Sequence, residues 1–274
     1  MRELSLNQGQ GPGVPVLMYH QVCDVEERTG LAHTTNPAYV LPVQLFLTQM
    51  EYLYRNSFRT LRIQDLTEGV PDSSERSVAI TFDDGWANNY SVALPILRRF
   101  GFTATIFLVT GFVGRDRYMN WHELRELNEG GISIQSHTVS HRPLTELTSR
   151  QITDELKGSK AIIEDRIGNR VDILSLPHGM MSQQVADCAL STGYRGICTS
   201  EPGFCHCYGR ISIFNRINVS DRIDDVVFQK IVEKNGFVTQ RLIIAKRLKN
   251  TLKRALGYQA YRKFYRWLYV RKSE

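Results

Sequence analysis

Apolar residues in this chain come in two alternating spacings. Short continuous runs at 14–20 (VPVLMYH), 78–82 (VAITF), 103–109 (TATIFLV), 131–136 (GISIQS), 172–176 (DILSL), 196–200 (GICTS) and 216–219 (RINV) read as buried strands. RTLRI is a further short strand candidate. Helical spacing appears at 41–56, where Val43, Phe46, Leu47, Met50 and Leu53 recur and Pro42 sits where a first turn tolerates it. Further helical segments fall near 88–100, 121–129, 149–167, 182–192 and 221–234. Buried strands alternating with amphipathic helices predict an α/β fold, a parallel sheet with helices outside, either barrel or open sheet. There is no internal repeat and no low-complexity segment.

In such folds functional side chains collect at the carboxyl ends of the strands. Four strand ends here carry them: His20 after VLMY, Asp83 and Asp84 in TFDDG, His137 and His141 in SHTVSH, and Pro177, His178 and Gly179 in LPHG. If the segment after the third strand turns helically, His137 and His141 project to one side and can share one metal ion. Two imidazoles and a carboxylate form a common metal triad with positions left for water and substrate. Neighbouring side chains on an extended segment point in different directions, so one aspartate of the pair can face the cation and the other the reacting water. The competing reading is a carboxylate pair capping the helix that follows Gly85.

TFDDG, followed about fifty residues later by H-x-x-x-H, resembles the polysaccharide deacetylase, or NodB-homology, domain of carbohydrate esterase family four. The likeness covers roughly residues 14–236. PVLMYH and LPHG are closer to the exopolysaccharide-deacetylase branch than to the chitin or peptidoglycan deacetylases. The resemblance implies a distorted (β/α)7 barrel and metal-dependent removal of N-acetyl groups from hexosamine units. It places the metal on Asp84, His137 and His141, with zinc expected and cobalt, nickel or another divalent ion as substitutes. Asp83 is then the general base, and the Pro177–His178–Gly179 loop helps hold an oxyanion. Trp86 and Trp121 are candidates for the sugar pocket.

Two departures stand out. The family's arginine before the proline loop is replaced by Leu176, and Arg216 is the candidate to supply a guanidinium from elsewhere on the rim. The family's late histidine acid is missing after residue 200. In the exopolysaccharide branch the strand order looks permuted, so that His20 fits the general acid, with His178 as runner-up. The expected reaction is amide hydrolysis giving acetate and an amino sugar, with a bell-shaped pH profile. A deformylase or deacylase of a lipid-linked sugar, a phosphatase, and a weakly active glycan-binding relative are the alternatives. The absent motif arginine favours the last of these.

Composition refines this picture at one end of the chain. The formal charge of +6 is concentrated between residues 241 and 274, which hold eleven Lys/Arg and one acidic residue, while 1–240 carry 23 basic against 27 acidic. The domain reading is therefore a polar leader (1–13), the deacetylase domain (14–236) and a basic amphipathic helical tail (237–274). Ala245, Leu248, Leu252, Ala255 and Leu256 share a face, Gly257 is a stop, and Tyr258 to Tyr269 repeat the pattern. Such a tail suits an anionic membrane surface, or else packs as a helix pair with a solvated basic face. Nucleic acid is not expected, since no recognition motif accompanies the charge. The partners expected are an N-acetylated glycan or lipid-linked sugar. With no apolar leader segment and no spanning run, the location expected is cytoplasmic or peripheral at the cytoplasmic membrane face. The five cysteines read as reduced thiols. Cys205, His206 and Cys207 stand too close together for an easy tetrahedral site.

Overall fold

A computed structural model describes residues 13–24, 39–68, 76–203, 206–208 and 210–256. Its strands in chain order are β1 (Val16–Tyr19), β2 (Gln21–Cys23), β3 (Val40–Pro42), β4 (Arg59–Leu61), β5 (Ser77–Asp84), β6 (Thr105–Leu108), β7 (Ser133–Ser136), β8 (Ile173–Ser175), β9 (Gly196–Cys198), β10 (His206–Tyr208), β11 (Ile211–Phe214) and β12 (Ile217–Asn218). The helices are α1 (Val43–Arg55), α2 (Leu94–Arg99), α3 (Trp121–Glu129), α4 (Ser149–Ile167), α5 (Gln183–Ser191), α6 (Asp225–Val232) and α7 (Gly236–Leu256).

The large sheet runs β10-β11-β9-β8-β7-β6-β5-β1-β12, with β4 beside the first half of β5. Only β10 is antiparallel to its neighbour. The two ends of this order meet, because β11 and β12 are halves of one segment. Ser212 pairs with Gly196 of β9, and five residues on Ile217 pairs with Leu17 of β1. The sheet thus curls into a seven-position barrel whose closing strand is broken at Asn215 and Arg216. This matches the (β/α)7 expectation and supplies its distortion.

Side-chain parity sets what lies inside. Ile80 and Phe82 of β5 face the helices, whereas Ala79 faces the barrel interior with Val16, Phe107, Ile173, Cys198 and Phe214. Successive strand residues alternate between faces. Counting on by twos, Thr81, Asp83, His137, Ser175, Arg216 and His20 all belong to the interior set, one layer nearer the carboxyl rim. A polar layer therefore caps an apolar one within the same barrel.

The helices begin and end on local signals. Asn120 with Glu123, and Thr148 with Gln151, form reciprocal capping boxes for α3 and α4, and Gly168 (φ 81°) closes α4 in a left-handed turn. The expected helix at 88–100 is instead a π-helical turn, Asn89–Ala93, leading into α2. Neither carboxylate of the aspartate pair caps it, so the capping alternative fails. The strands β2, β3, β10 and β11 were not anticipated. Cys205 and residues 257–274 lie outside the described residues.

Candidate active site

Asp83 is the last inward-facing residue of β5 and is 3% exposed. Arg216, equally buried, donates to both of its oxygens, at 2.7 Å to Oδ1 and 2.8 Å to Oδ2. The remaining guanidinium hydrogens are also used: Nε donates to Thr199 O (2.9 Å), Nη1 also to Thr81 Oγ1 (3.3 Å), and Nη2 also to Ser175 Oγ (2.8 Å). All five donors thus have partners, which is what lets an arginine stay buried. Burial alone would raise the Asp83 pKa, but the Arg216 charge and hydrogen bonds hold the carboxyl well below the ordinary range.

Asp84 would point outward if β5 continued. It does not, because Asp84 itself has φ 76° and Gly85 follows at φ 84°, and the reversal carries its carboxylate over the rim. Oδ2 accepts from Trp86 Nε1 at 3.0 Å. Oδ1 is buried with no hydrogen-bond partner, 3.5 Å from His137 Nε2 and 3.4 Å from His141 Nε2.

The two histidines do not sit on a helical turn, as their spacing suggested. Thr138 (φ 70°) and His141 (φ 59°) are left-handed, and Thr138 Oγ1 accepts the His141 N–H at 3.2 Å. Glu155 of α4 accepts from the N–H groups of Val139 and Ser140, each at 2.9 Å, and from Ser140 Oγ at 2.5 Å. Four of the seven non-glycine residues at positive φ among those described (Asp84, Thr138, His141, His178) lie in this rim. Strain of this kind persists only where surrounding bonds over-determine it.

His137 Nδ1 faces the carbonyl of Ser175 at 2.8 Å and must donate to it, so Nε2 carries the lone pair. Burial lowers the His137 pKa to about 3 and lowers that of His141, keeping both rings neutral at pH 7. Their approaches to Asp84 are therefore not ion pairs. One ligand atom from each of Asp84, His137 and His141 lies within 4.8 Å of the others. An orphaned carboxylate oxygen facing the His137 lone pair, with His141 Nε2 beside it, is an unfavourable arrangement by itself, and a cation relieves it. The donor set of two nitrogens and one oxygen fits zinc, cobalt or nickel better than magnesium or calcium.

The other rim residues differ in how they are used. The His20 ring packs against that of Tyr39 at 4.3 Å, tilted by 32°, and its buried Nδ1 has no hydrogen-bond partner. Burial lowers its pKa, opposed by the charges of Asp84 and Asp83. His178 is exposed, its ring 4.9 Å from that of His141. Pro177 is buried, and Gly179 needs its φ of 69° and its missing Cβ, which would lie 2.9 Å from Ser200 N. The Gly179 N–H donates to Leu176 O at 2.9 Å and is spent within the loop. Trp86 stacks on Tyr118 at 4.4 Å beside Asp84, whereas Trp121 packs partly buried against the core. Ser175, Tyr118, Tyr39 and Glu155 went unnoticed in the sequence. Only parity with Ile173 could have flagged Ser175, and the other three had no local signal.

Barrel and rim together define a carbohydrate deacetylase. The family model for polysaccharide deacetylase matches residues 71–197. YxkH of Bacillus subtilis is 29% identical over 223 residues, covering 80% of this chain and 76% of that one. The poly-beta-1,6-N-acetyl-D-glucosamine N-deacetylase of Staphylococcus aureus is 34% identical over 122 residues, covering 39% of this chain and 42% of that one. The fold is shared with the Streptococcus pyogenes deacetylase PplD, solved in complex with acetate, at a TM-score of 0.71 and 23% identity over 82% of this chain and 99% of that one. Residues 71–197 thus form part of a polysaccharide deacetylase domain, of the NodB-homology, carbohydrate esterase family four type.

Proposed function

We propose that this protein removes N-acetyl groups from N-acetylglucosamine-like units of a polysaccharide or exopolysaccharide precursor, with a divalent cation held by Asp84, His137 and His141. The observation that carries the reading is the division of the aspartate pair. Asp84 leaves one buried oxygen open toward the Nε2 atoms of two histidines, and Asp83 beside it is fixed in its ionised form by Arg216. When bound, the cation supplies Lewis acidity, polarising the acetamide carbonyl and lowering the pKa of water.

The chain's own residues do the rest. Asp83 accepts the proton of the attacking water, and Arg216 and Ser175 keep its carboxylate aimed across the barrel mouth. His20 is the donor to the departing sugar nitrogen, which leaves poorly unless protonated. Trp86 and Tyr118 form an aromatic wall on the Asp84 side, suited to the apolar face of a sugar ring. Zinc is the expected ion on donor chemistry. The hexosamine substrate is supported by the relative that acts on poly-beta-1,6-N-acetyl-D-glucosamine. The glycan-binding alternative loses its motive, since Arg216 occupies the role left open by Leu176.

Acetate release from N-acetylglucosamine oligomers is the test, run on metal-stripped protein and after adding zinc, cobalt or nickel. His137→Ala should lose both metal binding and acetate release. An active, metal-free His137→Ala protein would overturn the reading, and formate release from N-formyl analogues in preference to acetate would reassign the acyl group.

A further inference from the structure

Helix α7 has apolar residues on two opposite sides. On one, Val238 and Leu242 pack against the body, and Lys246 donates to Ser200 Oγ at 3.4 Å. On the other, Phe237, Ile244 and Leu248 are 72%, 55% and 66% exposed. At the α-helical repeat these three fall within about 40° of arc, a stripe rather than scattered residues. Arg241 borders it, with its guanidinium over the Phe237 ring at 5.9 Å, and Arg247 is exposed on the other flank. The sequence from this helix onward is strongly cationic, with eleven Lys/Arg and one acidic residue between 241 and 274.

We propose that the Phe237–Ile244–Leu248 stripe of α7 docks on an anionic lipid bilayer surface. Apolar side chains flanked by arginines are what an interfacial helix presents: rings and branched chains enter the boundary of headgroup and acyl chain, and the cations meet lipid phosphates. A second copy docking helix to helix would instead bring like charges together. No described helix is long and apolar enough to cross a membrane, so α7 lies in the surface plane.

The contact also has a direction. Lys246 reaches Ser200, against which Gly179 of the rim loop closes. A docked α7 therefore sits beside the barrel mouth, where a membrane-proximal glycan would be presented. That consequence rests on the deacetylase reading, but the membrane contact itself does not.

The full-length protein is sedimented with vesicles of phosphatidylcholine alone and of phosphatidylcholine containing phosphatidylglycerol. Binding should be at least about tenfold tighter to the anionic vesicles and should weaken as salt rises. Phe237→Ser/Ile244→Ser/Leu248→Ser should lower it roughly tenfold or more, as should Arg241→Glu/Arg247→Glu, both with unchanged acetate release from a soluble oligomer. Three results would overturn the proposal: no sedimentation with either vesicle, triple-serine protein that sediments like the wild type, or a concentration-dependent dimer that the triple variant abolishes without any vesicle binding. Loss of acetate release in the wild type would count against the proposed reaction and leave the vesicle result standing.

Discussion

Arg216 grips both oxygens of Asp83 at 2.7 and 2.8 Å across a sequence separation of 133 residues. A lysine cannot reproduce this two-pronged contact or serve Thr199, Thr81 and Ser175 at once. Arg216→Met should lower kcat by roughly 10²-fold, as expected for a base left unpositioned. It also leaves a buried carboxylate without its counter-charge, a loss of about 3–5 kcal/mol. The expected result is a melting temperature several degrees lower, with zinc affinity little changed. A large loss of zinc binding would place Arg216 in the metal site instead.

The adjacent aspartates should separate cleanly by substitution. Asp83→Asn should abolish acetate release yet still bind zinc, because Asp84 and both histidines remain. Asp84→Asn should lose both. Calorimetric titration with zinc beside an acetate assay distinguishes them, and equal loss of zinc binding in the two variants would contradict the division.

Glu155 touches no proposed ligand, but it accepts three hydrogen bonds from Val139 and Ser140. Residues that orient metal ligands in this way typically contribute 10- to 100-fold in affinity. Glu155→Ala should weaken zinc binding roughly tenfold, and saturating zinc should restore most of kcat. Unchanged affinity would show that the left-handed turn holds without it.

Acid should destabilise the metal-free protein through His137. Its folded-state pKa of about 3 lies below the ordinary histidine value of 6.5. Between those values the unfolded chain takes up a proton that the folded one does not. The contribution is complete above pH 6.5 and is lost as the pH falls toward 3, by at most about 5 kcal/mol. Urea unfolding of stripped protein between about pH 7 and pH 4 measures it. Stability that falls less steeply over that window in His137→Ala than in the wild type is the expected pattern, the remaining slope coming from His20 and His141, whose pKa values burial also lowers.

The proton donor can be identified by its effect on the alkaline side. A donor must be protonated, so kcat falls as pH rises through its pKa, which burial lowers for His20. His20→Asn should reduce kcat by roughly 10²-fold and flatten that limb. His178→Asn, at an exposed position, should leave it in place. The reverse outcome would move the role to His178.

Much of this molecule was legible one segment at a time. The barrel strands are unbroken apolar runs because both their faces are covered, and α3 and α4 carry reciprocal caps at their first turns. The aspartate pair and H-x-x-x-H are local motifs, so the metal candidates could be named from their residues. The helical turn expected for the histidines failed because spacing alone does not reveal the bonds from Thr138 and Glu155 that hold a left-handed loop. Leu176 marked a missing partner for Asp83, and the local sequence around Arg216 did little to set it apart from a surface arginine. Its place was decided by barrel closure. The segment 211–218 bridges β9 and β1, and its parity turns residue 216 inward onto Asp83. Composition and local pattern thus determined most of the elements, their class and the candidate metal-ligand residue types. Which charges share the buried mouth was settled only by the tertiary structure, since burying Arg216 is tolerable only where five acceptor contacts from β5, β8 and the end of β9 converge on it.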